Sequence, residues 1–345
     1  MQSTKHQTNL LLMDDRLRAC ADKFFAFIQS RPPGQNVAII HHADVDGVVG
    51  AGYVGATIKM KRPDLSLAVC AVATEEYDFE ALEQWTKTSA LDAAILLDLS
   101  IANKPKKLNA IAHNVSGTVF IFDHHSLNDV DFKPPENVIF VNPSLGESNV
   151  AAPPIATFMF AYNIAKTVRL QFPDTLLLSC FFAEGIDHAY PEFIGTLMDQ
   201  IDDFPNGGNL RQRFGKWPGA RLSTLIRAGF SNEERDDCVY ELISSFAQGL
   251  INQTSLIAEL DKNFGASAAA IRREISNAVD AWSLRITTEG AGLERLIVIP
   301  IEGPPTIAGP VASILRGSHP EHIFLTWVRW RDRAMFEVRS RNNGR

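Results

Sequence analysis

Three clusters of carboxylates and imidazoles each close an apolar run in the first half of the chain. His41-His42-Ala43-Asp44-Val45-Asp46-Gly47 follows residues 37–40, Asp98 follows 94–97, and Asp123-His124-His125 follows 119–122. Such groups are costly to bury unpaired, so three of them at the ends of three buried strands describe a built metal site. The donors are carboxylate and imidazole without thiolate. That set suits Mn2+, Mg2+ or Zn2+, and a mixed N/O octahedral site favours Mn2+. Two divalent ions about 3.5–4 Å apart can activate water and brace the attacking and leaving oxygens of a phosphoryl group. Metal-assisted phosphoester chemistry is therefore the chemistry these residues point to.

Asp98, alone on its strand end, is the natural bridging carboxylate. Asp44 and Asp46 are two apart, so on extended backbone they leave on one face, where they repel unless cations lie between them. Gly47 lets the chain turn tightly into the following helix, whose N-terminus can help hold a phosphate. Taken singly, each residue has a plainer role. Asp44 or Asp46 could cap that helix, and His124 or His125 could be a hydrogen-bonded loop histidine. Their joint occurrence at three strand ends is what argues for metal.

The elements that must position these groups follow from periodicity. Apolar residues at helical spacing predict a helix over 9–30, stopped by Arg31-Pro32-Pro33-Gly34. Strands over 37–40, 65–72, 93–97, 118–122 and 138–141 alternate with helices over 48–61, 78–88 and 105–113, a pattern that predicts a parallel sheet covered on both faces. Two largely apolar helices follow over 151–168 and 174–189. From about 195 to 288 the strand signal disappears, and helices over 222–228, 233–250 and 267–284 read as a helical connector. A strand over 295–301, a helix over 307–316 and a hairpin of 323–330 with 334–339 end the chain.

Composition narrows the setting. With 345 residues the chain is long enough for two domains, and 46% apolar with 21% charged residues is ordinary for a globular protein. A net charge of −7 disfavours long duplex DNA held by its backbone alone, while short anionic substrates remain open. Cys20, Cys70, Cys180 and Cys238 form no C-x-x-C pair, which argues against a thiolate zinc site or a disulfide scaffold. No apolar run reaches membrane-span length, and the N-terminus lacks the succession of a signal peptide, so a cytoplasmic location without membrane contact is expected.

His42-x-Asp44-x-Asp46-Gly47, the lone Asp98 and Asp123-His124-His125 resemble, in order, the first three motifs of the DHH phosphoesterase superfamily. That family includes RecJ-type exonucleases, oligoribonucleases, cyclic-dinucleotide phosphodiesterases and family II inorganic pyrophosphatases. Its fourth motif, an Asp following a Gly in a helix, matches Ala183-Glu184-Gly185-Ile186-Asp187, which makes Asp187 the expected ligand with Glu184 as its neighbour. The resemblance implies a first metal on His42, Asp44 and Asp98, and a second on Asp46, Asp98, His124 and Asp187. His125 is then the residue that hydrogen-bonds the scissile phosphate or protonates the leaving oxygen, and Asp123 orients a histidine. Between the adjacent histidines, the spacing to Asp44 favours His42 over His41.

The C-terminal segment resembles the accessory DHHA1 domain, through Pro310-Val311-Ala312-Ser313 and the strand Phe336-Glu337-Val338-Arg339-Ser340-Arg341. The resemblance implies that Arg339 or Arg341 faces a substrate phosphate or base. The Gly-rich, His-containing loop that follows in the family has no counterpart before Arg345, so this domain reads as incomplete. The expected organisation is an N-terminal helix (1–35), a parallel-sheet DHH catalytic domain with helices on both faces (36–200), a helical connector (201–290) and a smaller α/β DHHA1-like domain (291–345). The expected activity is two-metal hydrolysis, with Mn2+ preferred over Mg2+, of short single-stranded nucleic acids or small nucleotides. A cyclic-dinucleotide phosphodiesterase is the alternative within enzymes, and an inactive DHH-fold scaffold the alternative outside them. A homodimer is compatible with all three.

One basic cluster carries interleaved aromatics: Arg211, Arg213, Lys216, Arg221 and Arg227 with Phe214 and Trp217. It reads either as a groove that stacks a few unpaired bases or, preferably, as a solvated face with a partly buried Trp.

Overall fold

Strand β1 (Asn36–His42) is the apolar run at 37–40 extended by Asn36 and the two histidines, and it lies inside the main sheet. The computed structural model describes residues 14–72, 78–129, 131–145, 153–201, 204–207, 213–214, 216–217, 220–230, 236–288, 296–302, 307–330 and 333–339. β1 pairs in parallel with β2 (Ser66–Val72) on one side and β3 (Ala93–Leu97) on the other, and β4 (Val119–Phe122) and β5 (Val138–Val141) extend the sheet in the order β2-β1-β3-β4-β5. Every residue of β3 and β4 is buried. A strand covered on both faces has no solvent side, which is why these strands read as unbroken apolar runs rather than alternating ones.

Helices α1 (Asp15–Gln29), α2 (Val45–Lys61), α3 (Asp78–Thr88) and α4 (Pro105–Asn114) supply the covering layers together with α5 (Thr157–Thr167). On the side of α3 and α4, Phe79, Leu82, Leu108 and Ile111 close over Ile40, Leu96 and Ile121. On the other side Phe24 of α1 meets Phe120 and Phe160 edge-on, and Phe160 of α5 stacks on Phe122 at 4.2 Å. The N-terminal helix is thus part of the sheet's core.

α2 is buried from Val45 to Ile58. It packs against α5 and against α9 (Asp236–Ala247), which reach it closely because Gly50 faces Thr157 and Gly52 faces Ile243. A helix enclosed on all sides needs small residues where its neighbours' backbones approach.

Several helix ends differ from the periodicity. α5 starts at Thr157 rather than near 151, because Pro153 and Pro154 suit an extended entry and not a helix interior. α6 (Asp174–Glu184) stops at Gly185, whose φ of 69° is left-handed, and a short 3-10 turn over Asp187–Ala189 follows. α7 (Pro191–Asp199), α8 (Arg221–Gly229) and α9 then lead to α10 (Gln253–Thr288), a single helix of 36 residues.

The chain divides into two compact units, Met1–Leu260 and Asp261–Arg345. In the second, β6 (Leu296–Ile301) runs parallel to β7 (Ile323–Trp330), which pairs antiparallel with β8 (Arg333–Arg339). Helix α11 (Ala308–Ser318) packs on this sheet through Val311, Ala312 and Leu315. β6 alternates exposed and buried residues, the period-two pattern of a sheet with one covered face. The architecture is α/β: a five-stranded parallel sheet flanked by helices, and a smaller mixed sheet.

Candidate metal centre

The strand order reverses at β1: the chain leaves it for β2 on one side and later returns to β3 on the other. The carboxyl ends of β1 and β3 flank this switch point, the place where open α/β sheets collect ligands. His42 ends β1 and Asp98 directly follows β3. The His42 Nδ1 stands 2.9 Å from Asp44 Oδ2 and 4.0 Å from Asp98 Oδ2. Asp98 is buried with a φ of 61°. That left-handed conformation is uncommon for a residue with a side chain and is tolerated best by Asp and Asn. Strain of this kind concentrates at functional sites.

Asp44 and Asp46 do not share a face. Helix α2 begins at Val45, earlier than periodicity suggests, so Asp44 is its N-cap and Asp46 its second helical residue. Asp44 Oδ1 accepts from the Gly47 amide at 2.8 Å while Oδ2 turns to His42. Asp46 points the other way and is fully buried. Its Oδ2 accepts from Thr157 N at 2.9 Å and its Oδ1 from Phe158 N at 2.5 Å. The carboxylate thereby caps α5 from another element, where the N-cap residue Ala156 offers no oxygen of its own. Gly47 has a separate constraint: a Cβ there would run into the His42 carbonyl.

His124 joins the two sides, with Nε2 at 3.0 Å from Asp98 Oδ1 and 3.4 Å from Asp46 Oδ2. Among the described residues three groups bring one ligand atom each within 4.8 Å: His42-Asp44-Asp98, Asp46-His124-Glu184 and Asp98-His124-His125. Asp187, in the 3-10 turn, is buried but belongs to none of these groups. His41 lies on the opposite side of β1 from His42. Its Nδ1 donates to the His42 carbonyl at 2.7 Å, its ring stacks on Tyr240, and burial pushes its pKa down to about 4.

His125 is held differently from His124. Its Nδ1 donates to Asp123 Oδ1 at 2.7 Å, while its side chain stays 40% exposed and that of Asp123 is fully buried. Asn142 donates to the His125 carbonyl at 2.8 Å, and Asn103 donates to the Ser126 carbonyl and accepts from the Asn128 amide, which fixes the loop. A buried carboxylate thus sets the tautomer and aim of an accessible imidazole.

The electrostatics favour cations. Burial, then the charges of Asp46 and Asp44, pushes the carboxyls of Asp98 and Glu184 well above the usual range. Asp46 is raised too, by burial and by Asp44 against the pull of His124. Asp44 is the exception: burial works upward, but His42 and the Gly47 amide outweigh it and hold the group low. Four carboxylates crowded beside two imidazoles form a donor set that a divalent ion relieves, and the set fits hard-metal ligation. Arg227 of α8 adds a positive charge here, lowered by burial while Asp44 and Glu184 favour its charged form.

Arg213, Phe214 and Trp217 of the basic cluster pack against the fold. Arg213 donates to the Pro205 carbonyl at 2.7 Å and lies over the Phe204 ring, Phe214 stacks on Phe182 at 4.0 Å, and Trp217 packs buried against Phe204. Arg211 lies outside the described residues. In the second unit, Arg339 Nη1 donates to Glu337 Oε2 at 2.6 Å, and Arg341 lies outside the described residues.

No family model matches the chain, and no curated protein does. Solved structures do. RecJ from Thermus thermophilus in complex with Mn2+ superposes with a TM-score of 0.58 at 17% identity, over 94% of this chain and 47% of that one. An exonuclease RecJ bound to manganese gives 0.56 at 16% identity, over 94% and 82%. The DHH domain of a member of a ribosomal-protein family gives 0.57 at 13%, over 96% and 79%. The chain has the DHH fold. It spans about half the length of the Thermus RecJ. Within the DHH fold, side chains of the strand-end clusters read from the sequence meet at the carboxyl ends of the strands. Two features of the site were not legible in the sequence. Asp46 doubles as the cap of α5, and Glu184, not Asp187, stands beside Asp46 and His124. A Gly at a helix end marks where α6 stops, but only packing shows which carboxylate nearby faces the site.

Proposed function

We propose that this protein is a metal-dependent phosphoesterase acting on phosphodiester or phosphomonoester bonds of short single-stranded nucleic acids or small nucleotides, with two divalent ions, Mn2+ preferred and Mg2+ accepted. The observation that carries this is the pair of three-residue groups, His42-Asp44-Asp98 and Asp46-His124-Glu184, linked by the 3.0 Å contact of His124 with Asp98 at the sheet's switch point. The manganese held by both RecJ structures of this fold supports the choice of metal.

Bound ions would supply positive charge against phosphoryl oxygens and lower the pKa of water. The chain's own residues do the rest. Asp98 sits between the two groups and orders them. His125 would hydrogen-bond the phosphate and give a proton to the leaving oxygen, a role its pairing with Asp123 and its exposure support. The net charge of −7 favours small substrates over long duplexes. Four free cysteines fit a reducing, cytoplasmic setting, and among the described residues no helix is long and apolar enough to cross a membrane.

The test is hydrolysis with Mn2+ and with chelator, comparing wild type with Asp98→Ala on short oligonucleotides, longer single strands, cyclic dinucleotides, pAp and pyrophosphate. Metal-dependent cleavage lost in the variant supports the enzyme, and the preferred substrate names the branch. A folded, metal-loaded protein that cleaves none of them would be a binding protein instead.

A further inference from the structure

We infer that Glu184, in place of Asp187, is the carboxylate that completes the second metal position beside Asp46 and His124. This deepens the two-metal reading proposed above and depends on it.

The first ground is placement. Glu184 is the last residue of α6, which packs on α2, the helix that carries Asp46. Its carboxylate oxygen lies within 4.8 Å of the ligand atoms of Asp46 and His124, a grouping that Asp187 does not enter. The chain turns at Gly185 in a left-handed conformation, with Ile186 N donating to the Phe181 carbonyl at 3.2 Å. That closure fixes the direction in which Glu184 leaves the helix, and it carries Asp187 one turn further on.

The second ground is a local charge balance that is short of cation. A negative side chain at a helix C-terminus opposes the helix dipole. Glu184 also faces two more acids, Asp46 and Asp44. Arg227 supplies one neighbouring positive charge, shared with Asp44. One guanidinium, shared with Asp44, and the His124 imidazole stand against three carboxylates, and a divalent ion between Glu184, Asp46 and His124 removes the deficit.

The third ground is adjustability. Both Asp46 oxygens are fixed by the Thr157 and Phe158 amides, so this carboxylate cannot swing to close a coordination shell. Glu184 has three side-chain torsions, one more than an aspartate, so it can adjust to the ion that Asp46 and His124 orient.

The experiment counts Mn2+ on the full chain by calorimetry and by electron paramagnetic resonance, after chelator treatment. Wild type is expected to take two ions. Glu184→Gln should lose one, or bind it ~100-fold more weakly, while Asp187→Asn binds both like wild type. Glu184→Asp, which keeps the charge on a shorter arm, should fall between, and circular dichroism checks that each variant is folded. Two ions retained at full affinity by Glu184→Gln would make Glu184 merely the ion-pair partner of Arg227 and overturn the assignment. Loss of one ion in Asp187→Asn instead would overturn it equally and leave the two-metal reading standing. A wild type that binds no divalent ion would overturn that reading, and this assignment with it.

Discussion

His125 and His124 are adjacent in sequence and face different tasks. His124 Nε2 is turned between Asp98 and Asp46, while His125 is tied through Nδ1 to buried Asp123 and left accessible. If His125 transfers a proton, His125→Gln should lower kcat by about 10²–10⁴-fold and leave the number of bound Mn2+ ions unchanged. An ion lost in that variant would make His125 a ligand instead, as its grouping with Asp98 and His124 allows. Gly47 offers a test of geometry alone. Because a Cβ there meets the His42 backbone, Gly47→Ala must shift β1 or α2. Overpacking of that kind costs about 1–3 kcal/mol. A fall in melting temperature together with weakened Mn2+ binding is expected, and an unchanged melt would show that the strand and helix have room to spare. Burial that pushes Cys20 up to about 12 predicts a thiol inert to alkylation at about pH 8 in the native state and reactive only after unfolding.

Helix ends decide much at the level of elements. Asp14 caps α1, accepting from Arg16 N at 2.9 Å and pairing with its guanidinium at 2.7 Å. Burial works to raise this carboxyl, but the hydrogen bonds and charge of Arg16 prevail and its pKa is lowered. A carboxyl lowered by folding adds stability above its unfolded pKa and loses it as pH falls through the folded value. Asp14→Ala should therefore cost about 1 kcal/mol at neutral pH, and the difference between the two melting curves should vanish in strong acid. A difference that persists there would mean packing, not the cap, carries the effect. The strands, most helices and the terminal hairpin were legible from periodicity, because burial on one face or two writes itself into the spacing of apolar residues. The start of α2 was not. Val45 and Asp46 look like loop from their neighbours, and the helix begins there because Asp44 caps it.

For the whole molecule, the five-stranded sheet brings side chains from β1, β3 and β4, together with α6, to one edge of the first unit. A ligand that binds only this assembled site stabilises the fold by mass action. At about 100 times its dissociation constant, one ion adds about 2.7 kcal/mol. Mn2+ should raise the melting temperature of the chelator-treated protein, and Asp98→Ala should abolish the shift. Scanning calorimetry checks both, and an equal shift in the variant would place the ion elsewhere.

The sequence by itself determined the α/β order, the three strand ends and the chemical type of the site, since carboxylates and imidazoles after buried runs have few other uses. It also placed His42, Asp98 and His124 within reach of one another once the strands were taken as parallel. What only the tertiary structure decided was the partition of the acids. Asp44 and Asp46 part company because one caps its own helix and the other caps α5, 111 residues away in sequence. Glu184 joins Asp46 and His124 because α6 packs against α2. Spacing along a chain records which face of an element is buried; which distant element fills that face is settled only when the layers pack.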